Sequence, residues 1–237
     1  MLRADERQRE KVINEIEAFH DRQDAGRQLG EELIRYRGED PIVLALPRGG
    51  VPVGYEIARA LGAPLDVLVA RKLGTPGQPE LAMGAVAPGG VLVLNEALVG
   101  WLEVSEEQIE RIAAKERAEM ERRLRLFRGE RLGPTVTDKT VILVDDGIAT
   151  GMTVRAAILS LRQQGPRHLV LAVPVCAAQT AKELRFEVDE LVCLKTPTDL
   201  LAIGFWYENF EQISDDEVVR ILEHARGERG EELWGAR

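Results

Sequence analysis

Cysteine is scarce: the 237 residues hold two, Cys176 and Cys193. They show no metal-ligand spacing and form no disulfide framework. Both lie in or beside apolar runs, where free cysteine behaves as a small hydrophobe, so both are read as reduced core residues. Aromatics make up only 5%, which disfavours a base-stacking platform. His20, His168 and His224 are scattered at helix or strand edges and are read as structural or exposed. No apolar run approaches membrane-spanning length, and the charged start MLRADERQREK has no signal core. The expectation is a cytoplasmic protein with no membrane partner. Positive charge is in deficit, with a net charge of −9. That argues against a general nucleic-acid binder but leaves room for a local basic patch around an anionic ligand. There is no GxSxG elbow, Walker lysine, HExxH or GxGxxG, so those sites are not expected.

What is present is a globular chain, long enough for one α/β domain or two small ones. Residues 5–35 read as helix in two pieces. Val12, Ile16 and Phe19 fall at helical spacing in the first, and Ala25, Leu29 and Leu33 in the second. The charge-rich stretch 1–17 is expected to be a helical extension, with the main domain over 18–237. Apolar runs of strand length lie at 41–46, 65–70, 91–94, 141–144, 169–175 and 191–194. Helical spacing fills 51–61, 105–128, 154–161 and about 177–185. Ser105 and Gln108 frame a capping box at the start of the long, charge-laced helix. A loop rich in glycine and proline is expected over 73–79. Strands that are apolar throughout and alternate with helices predict a doubly wound parallel sheet covered on both faces. Ligands of such sheets bind beyond the carboxyl ends of the strands. Suspicious loops begin there after Leu46, Ala70 and Val144.

The most informative stretch is 141–154, VILVDDGIATGMTV. Asp145 and Asp146 end a buried strand. Two adjacent carboxylates there repel each other and lose solvation unless donors or a cation meet them. Vicinal sugar hydroxyls supply donors, and Mg²⁺ supplies charge. Gly147 and Gly151 let the backbone turn and approach a ligand. The N–H groups of Ala149–Thr153 then open a helix, a place that favours an anion, and Thr150 and Thr153 add hydroxyls. A ribose and a phosphate held side by side fit this string. A second motif, Leu46-Pro47-Arg48-Gly49-Gly50, sets a guanidinium and an open backbone at another strand end; alone it reads equally as a turn. Arg71-Lys72 stand at a third. The aromatics Phe205, Trp206 and Tyr207 are either contacts to a second substrate or ordinary packing.

Together these motifs resemble type I phosphoribosyltransferases, in particular a bacterial subgroup carrying LPRGG and VDDGxATG. The resemblance spans about residues 20–216. It implies an α/β sheet of that family's kind with a small hood built from N- and C-terminal segments, and an extra N-terminal helix. It implies a phosphoribosyltransferase that binds Mg²⁺–phosphoribosyl pyrophosphate and transfers the sugar phosphate to a nitrogen acceptor, a nucleobase-like compound, releasing pyrophosphate. Asp145 and Asp146 take the ribose hydroxyls, act in catalysis and meet the metal indirectly, through ribose or water. Ile148, Ala149, Thr150, Gly151, Met152 and Thr153 take the 5′-phosphate. Arg48, Gly49, Arg71 and Lys72 take pyrophosphate, with a cis Pro47–Arg48 peptide. The segment after Lys72, through Ala85, stands where the family has a mobile catalytic loop. Phe205, Trp206 and Tyr207 belong to the acceptor hood. Met152 departs from the hydroxyl or small residue common at its position, and Gln78 replaces an expected asparagine. A non-catalytic sensor of phosphoribosyl ligands, and an enzyme acting on another phosphorylated sugar, stay open as alternatives. Homo-oligomerisation also stays open.

Overall fold

A computed structural model describes residues 17–227. Nearly all of the expected N-terminal extension lies outside that range. The central sheet is parallel and five-stranded. Its strands are β1 (Pro41–Ala45), β2 (Leu65–Val67), β6 (Thr140–Val144), β7 (His168–Val175) and β8 (Glu190–Lys195), in the order β2-β1-β6-β7-β8. Alternate side chains point to opposite faces. Val43, Ile142 and Val144 enter one core with α1 (Arg22–Glu32), α2 (Gly50–Leu61), α4 (Glu106–Arg128) and α7 (Asp215–Gly227). Ile42, Leu44, Val141 and Leu143 enter the other with α5 (Met152–Arg162) and α6 (Ala178–Leu184). The doubly wound sheet expected from the apolar strands is therefore present.

The chain leaves β1 toward β2 on one side, while β6 pairs with β1 on the other. The order reverses between β1 and β6, and at such a switch point the loops beyond the strand ends diverge and open a crevice. The two longest motifs of the sequence, LPRGG and DDGIATG, leave these two strands.

Three sequence expectations are corrected. The strand expected over 65–70 stops at Val67. The expected loop 73–79 is instead a hairpin of β3 (Arg71–Thr75) and β4 (Gln78–Ala87). Thr75 pairs with Gln78, so Pro76-Gly77 forms a two-residue turn with Gly77 at φ 78°. The glycine and proline that signalled a loop serve a tight turn. With β5 (Val91–Leu94), this hairpin makes a separate antiparallel sheet. Its Leu73, Met83 and Val86 pack on Ile109 and Ala113 of α4. Phe19, third, is not helical. It bridges in parallel to Tyr207, and Phe19 N–H donates to the Trp206 carbonyl at 2.9 Å. Helix α3 (Glu96–Trp101) leads into α4, whose capping box of Ser105 and Gln108 is formed as expected.

Candidate active site at the switch point

Asp145 and Asp146 leave the carboxyl end of β6. Asp145 Oδ1 accepts the Asp146 N–H at 2.9 Å. Burial, followed by the neighbouring Asp146 carboxylate, raises the Asp145 pKa well above its ordinary value, while the Asp146 N–H bond and Arg22 oppose the rise. Asp146 is held differently. Its Oδ2 accepts from Arg22 Nε at 2.7 Å, in a pair with side chains only 9% and 16% exposed. Arg22 Nη1 donates to the Glu211 carbonyl at 2.8 Å, and its guanidinium lies 3.8 Å from the Phe210 ring centre. The Tyr207 hydroxyl donates to the Asp146 carbonyl at 2.5 Å. Burial, then Asp146, raises that phenol's pKa well above its usual value.

The β1 loop lies against the same carboxylate. A Cβ on Gly49 would sit 1.9 Å from Asp146 Oδ2, so only glycine permits this approach. The Pro47–Arg48 peptide is cis, as the resemblance implies. On the other side, a Cβ on Gly147 would sit 2.4 Å from Ile203 Cγ2, so the 3₁₀ turn Ile203–Trp206 lies over the acid loop.

The loop 147–151 is anchored at both ends. Ile148 is buried, its N–H donates to the Val175 carbonyl at 2.9 Å, and its carbonyl accepts from Ala177 N–H at 3.0 Å. The N–H of Ile148, within the stretch expected to take the phosphate, is thus engaged by the chain itself. The Thr180 hydroxyl donates to the Ala149 carbonyl at 2.6 Å, which turns that carbonyl away. Gly151 adopts the left-handed conformation at φ 74° and caps α5 without a side-chain bond. The first N–H groups of α5 therefore have no partner within the helix. Ala149 and Thr150 are exposed, and Met152 and Thr153 half-buried, around this helix start.

The cations expected at the site each meet an acid or a carbonyl elsewhere. Arg48 Nη1 lies 3.9 Å from Asp215 Oδ1 at the start of α7. Arg71 Nε donates to Glu116 Oε2 of α4 at 2.9 Å, and its Nη2 lies 2.8 Å from the same oxygen. Lys72 donates to the Glu80 carbonyl at 3.1 Å across the hairpin. Tyr207 is wholly buried, packed on Phe19 and stacked on Phe210 with ring centres 5.0 Å apart. It supports the acid loop from behind and has no surface left for an acceptor. Phe205 and Trp206 remain half-buried. Arg22 is absent from the residues singled out by sequence. Its partner is 124 residues away, and at the first turn of a helix it has the sequence surroundings of any surface arginine.

A doubly wound sheet with an acid pair and an open helix start at its switch point defines an α/β domain of the class whose ligands bind beyond the strand ends. The phosphoribosyl transferase domain model matches residues 12–208, and the chain belongs to this family. It is 45% identical over 210 residues to a Mycobacterium tuberculosis protein named "Putative phosphoribosyl transferase"; the match covers 89% of this chain. The chain spans about half the length of that relative, 47%. The crystal structure of TT1426 from Thermus thermophilus superposes with a TM-score of 0.74 at 41% identity. That match covers 87% of this chain and 98% of the other.

Proposed function

We propose that the protein transfers the phosphoribosyl group of phosphoribosyl pyrophosphate to a nitrogen acceptor of nucleobase type, releasing pyrophosphate. The observation that carries this is the packing of two acids, an anion-ready helix start and the Gly49 backbone around one switch point. Family membership supports the same reading.

In this reading the N–H groups of Ala149–Thr153, with the Thr150 and Thr153 hydroxyls, receive the 5′-phosphate. The acid loop receives the ribose hydroxyls. The bond from the anomeric carbon to the pyrophosphate oxygen breaks as the acceptor nitrogen attacks that carbon. The sugar gains positive charge in the transition state, which carboxylates beside the ribose would favour electrostatically. Arg48, Arg71, Lys72 and the open backbone at Gly49 grip the leaving pyrophosphate, the cations exchanging their present partners for its oxygens. Phe205 and Trp206 are proposed to border the acceptor.

Mg²⁺ commonly retains waters and binds through one or two carboxylates plus substrate phosphates. The residues fit an ion brought by the pyrophosphate: Asp145 forms no ion pair with the described residues, whereas Asp146 Oδ2 is taken by Arg22. Among the described residues, no group of three or more His, Cys, Asp or Glu is placed to hold a metal alone. In this reading Asp145 would meet the ion, through water or ribose. Mg²⁺ bound there would supply charge neutralisation to the leaving pyrophosphate.

The test is incubation with phosphoribosyl pyrophosphate, Mg²⁺ and a panel of purines, pyrimidines and simple amines, following pyrophosphate. The expected result is acceptor-dependent release, falling about a hundredfold or more in Asp145→Asn. Tight binding with no release for any acceptor would point to a sensor instead. Undiminished release by Asp145→Asn would remove the assigned role.

A further inference from the structure

The two acids are adjacent in sequence but are held in different ways. Asp145 forms no ion pair with the described residues. Asp146 meets three separate parts of the chain. The Arg22 guanidinium of α1 binds its Oδ2 at 2.7 Å. The Gly49 backbone of the β1 loop leaves no space for a Cβ beside the same oxygen. The Tyr207 hydroxyl, from the segment after β8, holds its carbonyl. Arg22 is itself fixed twice more, by the Glu211 carbonyl and by the face of Phe210. It is 8% exposed, so the pair stands in a low-dielectric setting where one guanidinium, forked between Asp146 and the Glu211 carbonyl, fixes orientation.

We infer that Arg22 is a positioning residue for Asp146: it sets the direction in which that carboxylate meets the sugar, and the same pair ties the 207–211 segment to the acid loop. The inference rests on the phosphoribosyl reading and assigns residues within it. It makes helix α1 part of the site. The pair also helps to hold the 203–211 segment, where the hood is expected, over this loop. Arg22 cannot keep its bonds to Asp146 and Glu211 unless the 207–211 segment stays packed against α1. A ligand seated beside Asp146 therefore meets a carboxylate whose direction is set from the hood.

A double-mutant cycle on the full chain tests this, using Arg22→Gln, Asp146→Asn and the double variant. The readouts are the dissociation constants of Mg²⁺–phosphoribosyl pyrophosphate and of inorganic phosphate. Arg22→Gln is expected to weaken phosphoribosyl pyrophosphate binding about tenfold to a hundredfold, the range for a displaced positioning contact. Asp146→Asn is expected to do the same, and the double variant no worse than the stronger single one, because both remove one coupled contact. Inorganic phosphate, which needs no acid, should bind all three variants within about twofold of wild type. Arg22→Lys keeps the charge but not the fork, and should fall between wild type and Arg22→Gln. Losses that multiply in the double variant, or full recovery by lysine, would overturn the positioning role. A loss of phosphate binding equal to the loss of phosphoribosyl pyrophosphate binding would reveal general damage and would also overturn it. If the wild-type chain binds no phosphoribosyl pyrophosphate, the functional reading fails first. The cycle is then read on thermal unfolding, where absence of coupling between residues 22 and 146 overturns the inference by itself.

Discussion

Asp145 ends a buried strand beside a second carboxylate, and burial together with that neighbour raises its pKa. The sign of the consequence is fixed by linkage. Above the ordinary aspartate pKa of about 4, the unfolded chain ionises more readily than Asp145 in the folded, ligand-free chain. Stability therefore falls as pH rises from there, until the folded group ionises too. Asp145→Asn lacks this loss. It should melt higher than wild type at neutral pH, by roughly 2–4 °C for each ~1 kcal/mol recovered in a domain of this size. The difference should vanish below about pH 4, while activity is lost. Melting curves across pH check this, and a lower melting temperature at neutral pH would contradict it. Gly49→Ala sets a methyl group against Asp146 Oδ2 at 1.9 Å. The backbone angles there are ordinary, φ −63° and ψ −33°, so the fold should survive. Binding of phosphoribosyl pyrophosphate should fall at least about tenfold with melting shifted by no more than ~4 °C. At this scale the sequence is legible where chemistry is local. Asp145, Asp146, Gly147 and Gly151 announce themselves within one string. Arg22 does not, because its role exists only once α1 is laid against the acid loop. Ile148 reads as part of the phosphate loop, and only its bond to Val175 shows that it is an anchor. Tyr207 reads as a possible aromatic contact until its ring is seen packed between Phe19 and Phe210.

Helix α1 reaches the site because it can lie very close to α2. A Cβ on Gly26 would stand 2.8 Å from the Val53 carbonyl and 2.9 Å from Glu56 Cβ. Gly26→Ala raises helix propensity by about 1 kcal/mol, but the clash is with backbone that cannot swing away. The crowding cost of about 1–3 kcal/mol should win. The variant should be less stable, and it should also bind phosphoribosyl pyrophosphate more weakly, because α1 carries Arg22. Chemical denaturation and a ligand titration measure the two effects; a stabilised variant with unchanged affinity would contradict the account. Strands and helices with a full periodic pattern are readable, as β1, β6, β7, α2 and α4 show. The hairpin β3–β4 is not. Its turn uses the same Pro76-Gly77 pair that marks an irregular loop, and its register shifts around Gly74 break any alternation of apolar residues.

Across the whole molecule, the sheet order supplies the crevice and the loops supply its chemistry. Apolar strands imply a parallel sheet, but no local pattern states which strands are neighbours. The meeting of the β1 and β6 loops is a property of topology alone. The same scale governs the metal. The described residues include no resident metal cluster, so chelation should leave the melting temperature of the ligand-free protein unchanged. With phosphoribosyl pyrophosphate present, chelation should remove the stabilisation by ligand. That stabilisation is about 2.7 kcal/mol at a hundredfold excess over the dissociation constant, or roughly 5–10 °C. Thermal melts with and without chelator check both halves, and a fall in the ligand-free melt would reveal a resident ion.

The central claim is that one switch point holds ribose and phosphate together. Its most direct test is calorimetric titration of the full chain with Mg²⁺–phosphoribosyl pyrophosphate. The account predicts saturable binding at one site, competition by inorganic phosphate, and an affinity at least about tenfold weaker in Asp145→Asn. Absence of saturable binding, or equal affinity in wild type and Asp145→Asn, would contradict it.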